Sequence, residues 1–322
     1  MKRDIIVIGS SAGGVEAIPR LLGSLSARIP AAFFVTLHIS PTSESLMPTL
    51  IARQGHLPAE HPRDGTPIRQ GHIYVAPPDH HLVLTSDGIR LSHGPKENRH
   101  RPAIDVMFRS AARVFGNRVA GVLLTGNLDD GVSGLQEIQR HQGVTVVQDP
   151  DEAPFPEMPR NALNALRPDH CLRLADMERL LAHLPCSTTG GRNMKVKRSS
   201  RLVTERPIAT QPKKGPPMPL VCPECHGPLW ELKDGKLASY ECLVGHRYSL
   251  ESLLQAHAED LESALWIALR AVEERVNLQK RLAEQSRASG NPRSRETFEA
   301  RAAENMKHAK VLRGIIEKIG RH

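Results

Sequence analysis

The chain has 322 residues, a length that allows two domains or one domain with appendages, and 39% of its residues are hydrophobic. No apolar run approaches the length that crosses a bilayer, and the N-terminus carries no secretory signal pattern, so we expect a cytoplasmic protein without membrane insertion. The net charge of +8 is concentrated, because eight basic residues but only Glu205 lie between residues 187 and 220.

Residues 1–186 alternate between short apolar runs and helical patterns. The predicted strands are 4–8, 31–37, 72–76, 82–85, 119–124 and 144–148. The predicted helices are 14–25, 44–53, 102–115, 131–141, 159–165 and 175–184. This alternation predicts an α/β fold, a doubly wound and mostly parallel sheet with helices on both faces. Pro102 and Pro159 suit first helical positions, and Pro19 must either fall near the first turn of its helix or kink that helix.

Beyond residue 186 the pattern changes three times. Residues 187–219 lack apolar periodicity and are rich in Ser, Thr, Gly, Pro and basic residues, which predicts a flexible basic linker. Residues 220–249 form a small unit that carries three cysteines. Residues 250–320 contain two helical stretches, 250–285 and 294–319, and the break between them predicts a helical hairpin. We expect its arms to bury each other's apolar positions, with a docking or dimerisation surface as the alternative.

The cysteine-bearing unit has the ligand pattern of a metal site. Cys222, Cys225, Cys242 and His246 follow the spacing C-x2-C-x16-C-x3-H, in which two close pairs can close a tetrahedral zinc site. His226, next to Cys225, is an alternative nitrogen ligand. Four protein ligands leave no position for a substrate water, so we expect a structural zinc in a zinc-ribbon-like module.

The turn after the first predicted strand reads GSSAGG, residues 9–14. A dinucleotide-binding fingerprint requires glycine where Ser11 stands, and a P-loop requires lysine where Val15 follows Gly14. The G-x-S-x-G pattern at 9–13 instead fits a nucleophile elbow between a strand and a helix, with a purely structural turn as the alternative.

A serine nucleophile requires a base and a group that orients the base. His38 follows the predicted strand 31–37, and both Asp129 and Asp130 follow the strand 119–124. The carboxyl ends of parallel strands meet at one edge of a sheet, so these residues are expected close to Ser11. The chain order Ser, His, Asp differs from the Ser, Asp, His order of α/β-hydrolases.

Over residues 3–186 the chain resembles the CheB family of chemotaxis protein-glutamate methylesterases. The resemblance rests on successive blocks: IGSSAGGVEAI, LHISP, YVAPPDHHL, NRHRPAIDVMF, LLTGNLDDGVSG and PEMPRNAL. It implies a triad of Ser11, His38 and Asp130 rather than Asp129. Asn127 stands where the family often has methionine, and we expect the backbone N–H groups of Ala12 and Asn127 to stabilise the oxyanion.

The resemblance implies hydrolysis of glutamate γ-methyl esters on chemoreceptor helices with release of methanol, and glutamine deamidation as a companion activity. It implies no cofactor for catalysis, and methylated chemoreceptors or related signalling proteins as partners. Classical members carry an N-terminal receiver domain, whereas this sequence begins at the catalytic domain, so we expect the C-terminal region to carry control or targeting.

Two other functions compete with the esterase. One is a non-catalytic signalling scaffold that uses the esterase fold and the zinc-helical tail for partner docking. The other is nucleic-acid binding through the basic linker and the cysteine unit, which is disfavoured because no aromatic residue lies between 187 and 229 to stack on bases.

Overall fold

The computed structural model of the protein describes residues 2–186, 216–234 and 237–319. The chain divides into two compact units, Met1–Leu253 and Leu254–His322. Most of the predicted linker, 187–219, lies outside the described residues, so its flexibility stays a prediction.

The first unit contains strands and helices in the alternation that the sequence predicts. Its strands are β1 (Ile5–Ser10), β2 (Ala32–Leu37), β3 (Ala59–Glu60), β4 (Ile73–Val75), β5 (His81–Leu84), β6 (Ile89–Ser92), β7 (Val119–Leu123), β8 (Val144–Gln148), β9 (His170–Leu172), β10 (Leu229–Asp234), β11 (Leu237–Cys242) and β12 (Arg247–Ser249). Its helices are α1 (Gly14–Gly23), α2 (Met47–Gln54), α3 (Ile104–Phe115), α4 (Val132–Arg140), α5 (Glu157–Ala165) and α6 (Leu174–His183).

Seven strands form one parallel sheet in the order β3-β4-β2-β1-β7-β8-β9. The predicted doubly wound fold is therefore confirmed. The predicted strand 82–85 is real, but it pairs with β6 in a separate two-stranded antiparallel sheet. The edge strands β3 and β9 were not predicted, since segments of two and three residues show no periodicity.

Helices cover both faces of the parallel sheet. On one face the core contains Ile18 of α1, Ile51 of α2 and Met177 of α6. On the other face it contains Phe108 of α3 and Leu135 of α4. Because α1 follows β1 and α4 follows β7 on opposite faces, a crevice opens between the carboxyl ends of these neighbouring strands, where α/β proteins bind ligands.

The three prolines lie differently from the predicted positions. Pro19 is buried in the second turn of α1, not in the first. Pro102 precedes α3, which begins at Ile104. Pro159 is the third residue of α5 rather than its first, a position still within the turn whose N–H groups have no intrahelical acceptor.

Residues 216–253, which we call the ribbon, complete the first unit. Strands β10, β11 and β12 form an antiparallel sheet. A small core of Leu229, Tyr240, Tyr248 and Leu253 surrounds the buried Cys222 and Cys242. So few apolar side chains bury little surface, which is typical of units that need a metal or a neighbour to fold.

The second unit is helical, as predicted. It contains most of α7 (Leu250–Ala288) and all of α8 (Pro292–Ile319). Asn305 donates to Gln279 across the two helices at 2.9 Å, and a pairing of Arg313 with Glu273 gives the antiparallel register of a hairpin. Among the described residues, no helix is both long and apolar enough to cross a bilayer.

The apolar positions of the hairpin are only partly buried, which corrects the expectation that the two arms bury each other's apolar residues. Val276 and Ala302 are buried, whereas Leu261, Met306 and Val311 are each more than half exposed.

Candidate active site

Strand β1 leads directly into the turn that holds the serine pair. Its six residues are all buried, because the strand lies at the centre of the sheet. Gly13 adopts a left-handed φ of 79° at the N-terminus of α1, a conformation that glycine reaches without strain. A Cβ on Gly14 would lie 2.5 Å from Ser10 Oγ, so the turn accepts only small residues.

The two serines of the turn have different environments. Ser10 is fully buried, and its hydroxyl donates to the carbonyl oxygen of Thr125 at 2.8 Å. Ser11 is partly exposed, and its N–H donates to the same carbonyl at 3.0 Å. Only the Ser11 hydroxyl is therefore placed where it can reach a substrate.

Ser11, His38 and Asp130 lie in one hydrogen-bonded row at the carboxyl edge of the sheet. His38 Nδ1 is 3.1 Å from Ser11 Oγ, and His38 Nε2 is 2.7 Å from Asp130 Oδ2. The ring presents Nδ1 to the serine, whereas the serine-protease triad uses Nε2 for this contact. In the tautomer protonated at Nε2, Asp130 accepts the ring proton and Nδ1 is free to take the serine proton.

Asp130 is buried and accepts four hydrogen bonds. Oδ2 accepts from His38 and from the N–H of Ile104 at 2.6 Å. Oδ1 accepts from Asn98 Nδ2 at 3.0 Å and from the N–H of Asp105 at 3.2 Å. Burial favours the protonated acid, but the hydrogen bonds and the charge of His38 hold the pKa of Asp130 below its ordinary value.

Asp129 lies beside this row but does not contact the imidazole. Its Oδ1 accepts a hydrogen bond from Ser249 Oγ at 2.7 Å. Burial raises the pKa of Asp129 to about 6, against the lowering effect of the Ser249 hydrogen bond. The two adjacent aspartates thus face different partners.

His100 packs flat against His38. The ring centroids are 3.6 Å apart and the planes differ by 10°. Burial and the neighbouring His38 lower the pKa of His100 to about 3, so this ring is neutral at ordinary pH. A neutral stacked ring restrains the orientation of His38 without adding a charge beside it.

The predicted oxyanion donors lie in the two loops that flank the serine. The neighbouring N–H groups of Ser11 and Gly126 donate to the carbonyl oxygens of Thr125 and Phe155. Within the described residues, no backbone carbonyl accepts the N–H of Ala12 or Asn127. Their role as oxyanion donors stays a prediction.

A sequence model of the CheB methylesterase family matches residues 6–181, more than half of the chain. The chain belongs to the CheB methylesterase family. The resemblance noted from the sequence blocks is therefore confirmed.

Several CheB-family relatives are similar to this chain. A Leptospira interrogans protein, provisionally named a protein-glutamate methylesterase/protein-glutamine glutaminase, is 34% identical over 185 residues, which are 57% of this chain and 96% of that protein. A protein-glutamate methylesterase/protein-glutamine glutaminase of Hydrogenovibrio crunogenus is 39% identical over 184 residues. That match covers 55% of this chain but only 48% of the relative, so this chain spans about half of the longer proteins.

The fold of this chain is similar to that of the Thermotoga maritima CheB methylesterase catalytic domain, which is known from a crystal structure. It matches with a TM-score of 0.55 and 26% sequence identity, and the match covers 57% of this chain and 100% of that domain. The part of this CheB-family chain that contains the parallel sheet therefore has the fold of that catalytic domain.

The ribbon of this CheB-family chain brings its four predicted ligands together. The ligand atoms of Cys222, Cys225, Cys242 and His246 all lie within 4.8 Å of one another. Sγ of Cys225 and Cys242 are 3.6 Å apart, and the Nδ1 of His246 is 3.7 and 3.6 Å from Sγ of Cys222 and Cys242. Tetrahedral zinc would place sulfur pairs about 3.8 Å apart and sulfur–nitrogen pairs about 3.5 Å apart. These residues fit a zinc ion, and His226 is not part of the group.

Sequence reasoning missed the residues that surround the triad. Asn98 and His100 belong to a recognised sequence block, but no local pattern assigns them to Asp130 and His38. Ser249 lies 120 positions from its partner Asp129, so only the fold brings the two together.

Proposed function

We propose that this protein hydrolyses glutamate γ-methyl esters on methyl-accepting chemoreceptors and releases methanol. The observation that carries the proposal is the row Ser11–His38–Asp130 at the carboxyl edge of the sheet. The names of the relatives support the same reaction. Within the described residues, no contact or cluster specifically favours a non-catalytic scaffold.

The geometry supports the following course of reaction. His38 Nδ1 takes the Ser11 proton while Asp130 accepts the Nε2 proton and stabilises the imidazolium. Ser11 Oγ attacks the ester carbonyl, and the N–H groups of Ala12 and Asn127 stabilise the oxyanion, each such donor being worth about 3 kcal/mol. The bond from the carbonyl carbon to the methoxy oxygen then breaks, His38 gives its proton to that oxygen, and methanol leaves a glutamyl ester on Ser11. Water attacks this ester with His38 as the base, which releases glutamate and the free serine.

Glutamine deamidation follows the same tetrahedral path. The amide nitrogen depends more on the proton from His38 than the methoxy oxygen of the ester does, because an amide nitrogen leaves poorly without protonation. The relatives carry both activities in their names. We therefore propose deamidation as a slower companion reaction at the same serine.

We propose that the ribbon holds one structural zinc through Cys222, Cys225, Cys242 and His246. Four protein ligands at tetrahedral spacing support a closed site, in which the metal stabilises the fold and takes no part in hydrolysis. The three cysteines can bind a metal only while they are reduced, and cytoplasmic proteins keep their thiols reduced. We therefore propose that the protein works in the cytoplasm.

The test is methanol release from methylated chemoreceptor fragments, with ammonia release from the unmodified glutamine form measured in parallel. Ser11→Ala is expected to abolish both products. Ser10→Ala is the matched control, because it removes a hydroxyl that donates only to Thr125 and should leave turnover within about threefold. Turnover by Ser11→Ala near the wild-type rate would contradict the proposal.

A further inference from the structure

The ribbon contacts the α/β layers along residues 96–98, which precede α3. Asn98 N donates to the carbonyl oxygen of Arg247 at 2.8 Å, and Arg247 N donates to that of Lys96 at 3.3 Å. Lys96 Nζ also lies 3.1 Å from both carboxylate oxygens of Glu224. These contacts bring β12 and the first turn of α7 beside Asn98.

Asn98 connects the ribbon to the carboxylate of the triad. Its side-chain Nδ2 donates to Asp130 Oδ1 at 3.0 Å and to Asp105 Oδ2 at 3.2 Å. Its Oδ1 accepts from Ser249 N and from Ser252 Oγ, each at 3.0 Å. These four contacts use both amide hydrogens and both lone pairs of the Asn98 side chain. Asn98 is only 6% exposed, so water does not replace these partners.

The ribbon side of this network determines which way the amide faces. A backbone N–H can only donate, so Ser249 N requires the oxygen of Asn98 on its side. The buried hydroxyl of Ser252 donates to the same oxygen. With Oδ1 held there, Nδ2 must face the two carboxylates, where a donor is needed. The opposite orientation would place the amide oxygen against Asp130 and turn Nδ2 towards Ser249 N, which would keep only its second acceptor, Ser252 Oγ at 3.1 Å.

We propose that Ser249 and Ser252 are positioning residues of the esterase, which fix the amide of Asn98 so that it holds Asp130 against His38. This inference rests on the proposed function, in which Asp130 orients the catalytic base. The ribbon reaches the triad from the Asp130 side, whereas Ser11 keeps part of its surface exposed. The ribbon thus holds Asp130 in place through Asn98 and leaves Ser11 uncovered.

The test uses the full chain and p-nitrophenyl acetate, a small ester that needs the triad but no receptor docking. Ser252→Ala removes one of the two donors to Asn98 and is expected to lower kcat about fivefold with KM within twofold. Asn98→Gly removes the amide, and glycine accepts the left-handed φ of 48° at this position. It is expected to lower kcat about thirtyfold, since the lost bond is to a charged group.

The decisive measurement is the combination of both substitutions. If Ser252 acts through Asn98, Ser252→Ala in the Asn98→Gly background lowers kcat by less than twofold. A serine that merely stabilises the fold would cost the same fivefold in both backgrounds. Lys96→Gln is the matched control, because it removes a ribbon contact from the same surface without touching the amide, and its kcat should stay within twofold of wild type.

Asn98→Asp provides a second measurement should the glycine variant fold poorly. It replaces the Nδ2 donor by an oxygen facing Asp130 and Asp105, and kcat is expected to fall more than in Ser252→Ala. An unchanged kcat in Ser252→Ala, or the same loss in both Asn98 backgrounds, would overturn the inference. Ser11→Ala measured alongside separates this failure from failure of the proposed function, since only the latter leaves Ser11→Ala active.

Discussion

Replacing Asp130 by asparagine tests the triad most directly, because each oxygen of this carboxylate accepts two hydrogen bonds. The new NH2 group would face two donors whichever way the amide turns. We expect it to face Asn98 and Asp105, where the contacts are 3.0 and 3.2 Å, rather than His38 and Ile104, where they are 2.7 and 2.6 Å.

Two losses follow from this geometry. Two buried donors without an acceptor cost about 1–3 kcal/mol each, so the free energy of unfolding should fall by about 2–6 kcal/mol. The imidazolium that forms at His38 also loses its counter-charge. At a separation of about 4 Å and an effective dielectric constant of about 20 this is worth about 4 kcal/mol, or about a thousandfold in kcat.

Asp129→Asn is the matched control, since Asp129 accepts from Ser249 and does not contact the base. Its kcat is expected within about threefold of wild type. The assay is kcat on p-nitrophenyl acetate and on a methylated receptor fragment, with urea unfolding to show that each variant is folded at the assay temperature. A larger loss in Asp129→Asn than in Asp130→Asn, or less than a tenfold loss in Asp130→Asn, would refute the assignment.

Three further predictions follow. Gly126→Ala should lower kcat more than tenfold, because the new Cβ would lie 2.8 Å from Ser11 Cβ. The purified chain should contain about one zinc, and Cys222→Ser with Cys242→Ser should lose it in metal analysis. His100 is neutral when folded, with a pKa of about 3, but takes up a proton near pH 6.5 when unfolded. The unfolded chain then binds more protons, so stability should fall as pH drops below 6.5, by up to about 1.4 kcal/mol per pH unit, and His100→Phe should reduce that slope.

Each of the three has a result that would contradict it. For Gly126 it is a kcat within twofold of wild type. For the metal site it is undiminished zinc in the double variant, with Cys171→Ser as control, since this exposed thiol lies outside the ligand group. For His100 it is an unchanged slope of unfolding free energy between pH 4 and about 6.5.

The sequence indicated those parts of the site that follow from local pattern and sheet geometry. Ser11 and His38 come directly after strands with clear apolar runs, so the parallel sheet places both at one edge. The ligand spacing of the ribbon is equally local, since Cys222 and Cys225 share one turn and Cys242 and His246 share another.

The support of the triad could not be predicted in the same way. Asn98 and Ser252 lie 154 positions apart, and their contact depends on how the ribbon packs against the segment before α3. His100 reaches His38 because Asn98 and Arg99 both adopt a left-handed φ, and no periodicity announces such a turn. His81 directly precedes the predicted strand 82–85, and no sequence pattern indicates that its ring is buried, with Nε2 3.0 Å from the carbonyl oxygen of Pro95.

The position of β1 between β2 and β7 explains why the residues of the proposed triad occur in the order Ser, His, Asp. From the central β1 the chain passes to β2, β3 and β4 on one side, and it then crosses to β7, β8 and β9 on the other. The order of the three residues in the sequence therefore follows from the order in which the chain forms the strands, and the chemistry does not require it. A circular permutant of the α/β layers opened just before α3 would encode the aspartate first, then the serine and the histidine, while the three side chains still met at the same edge.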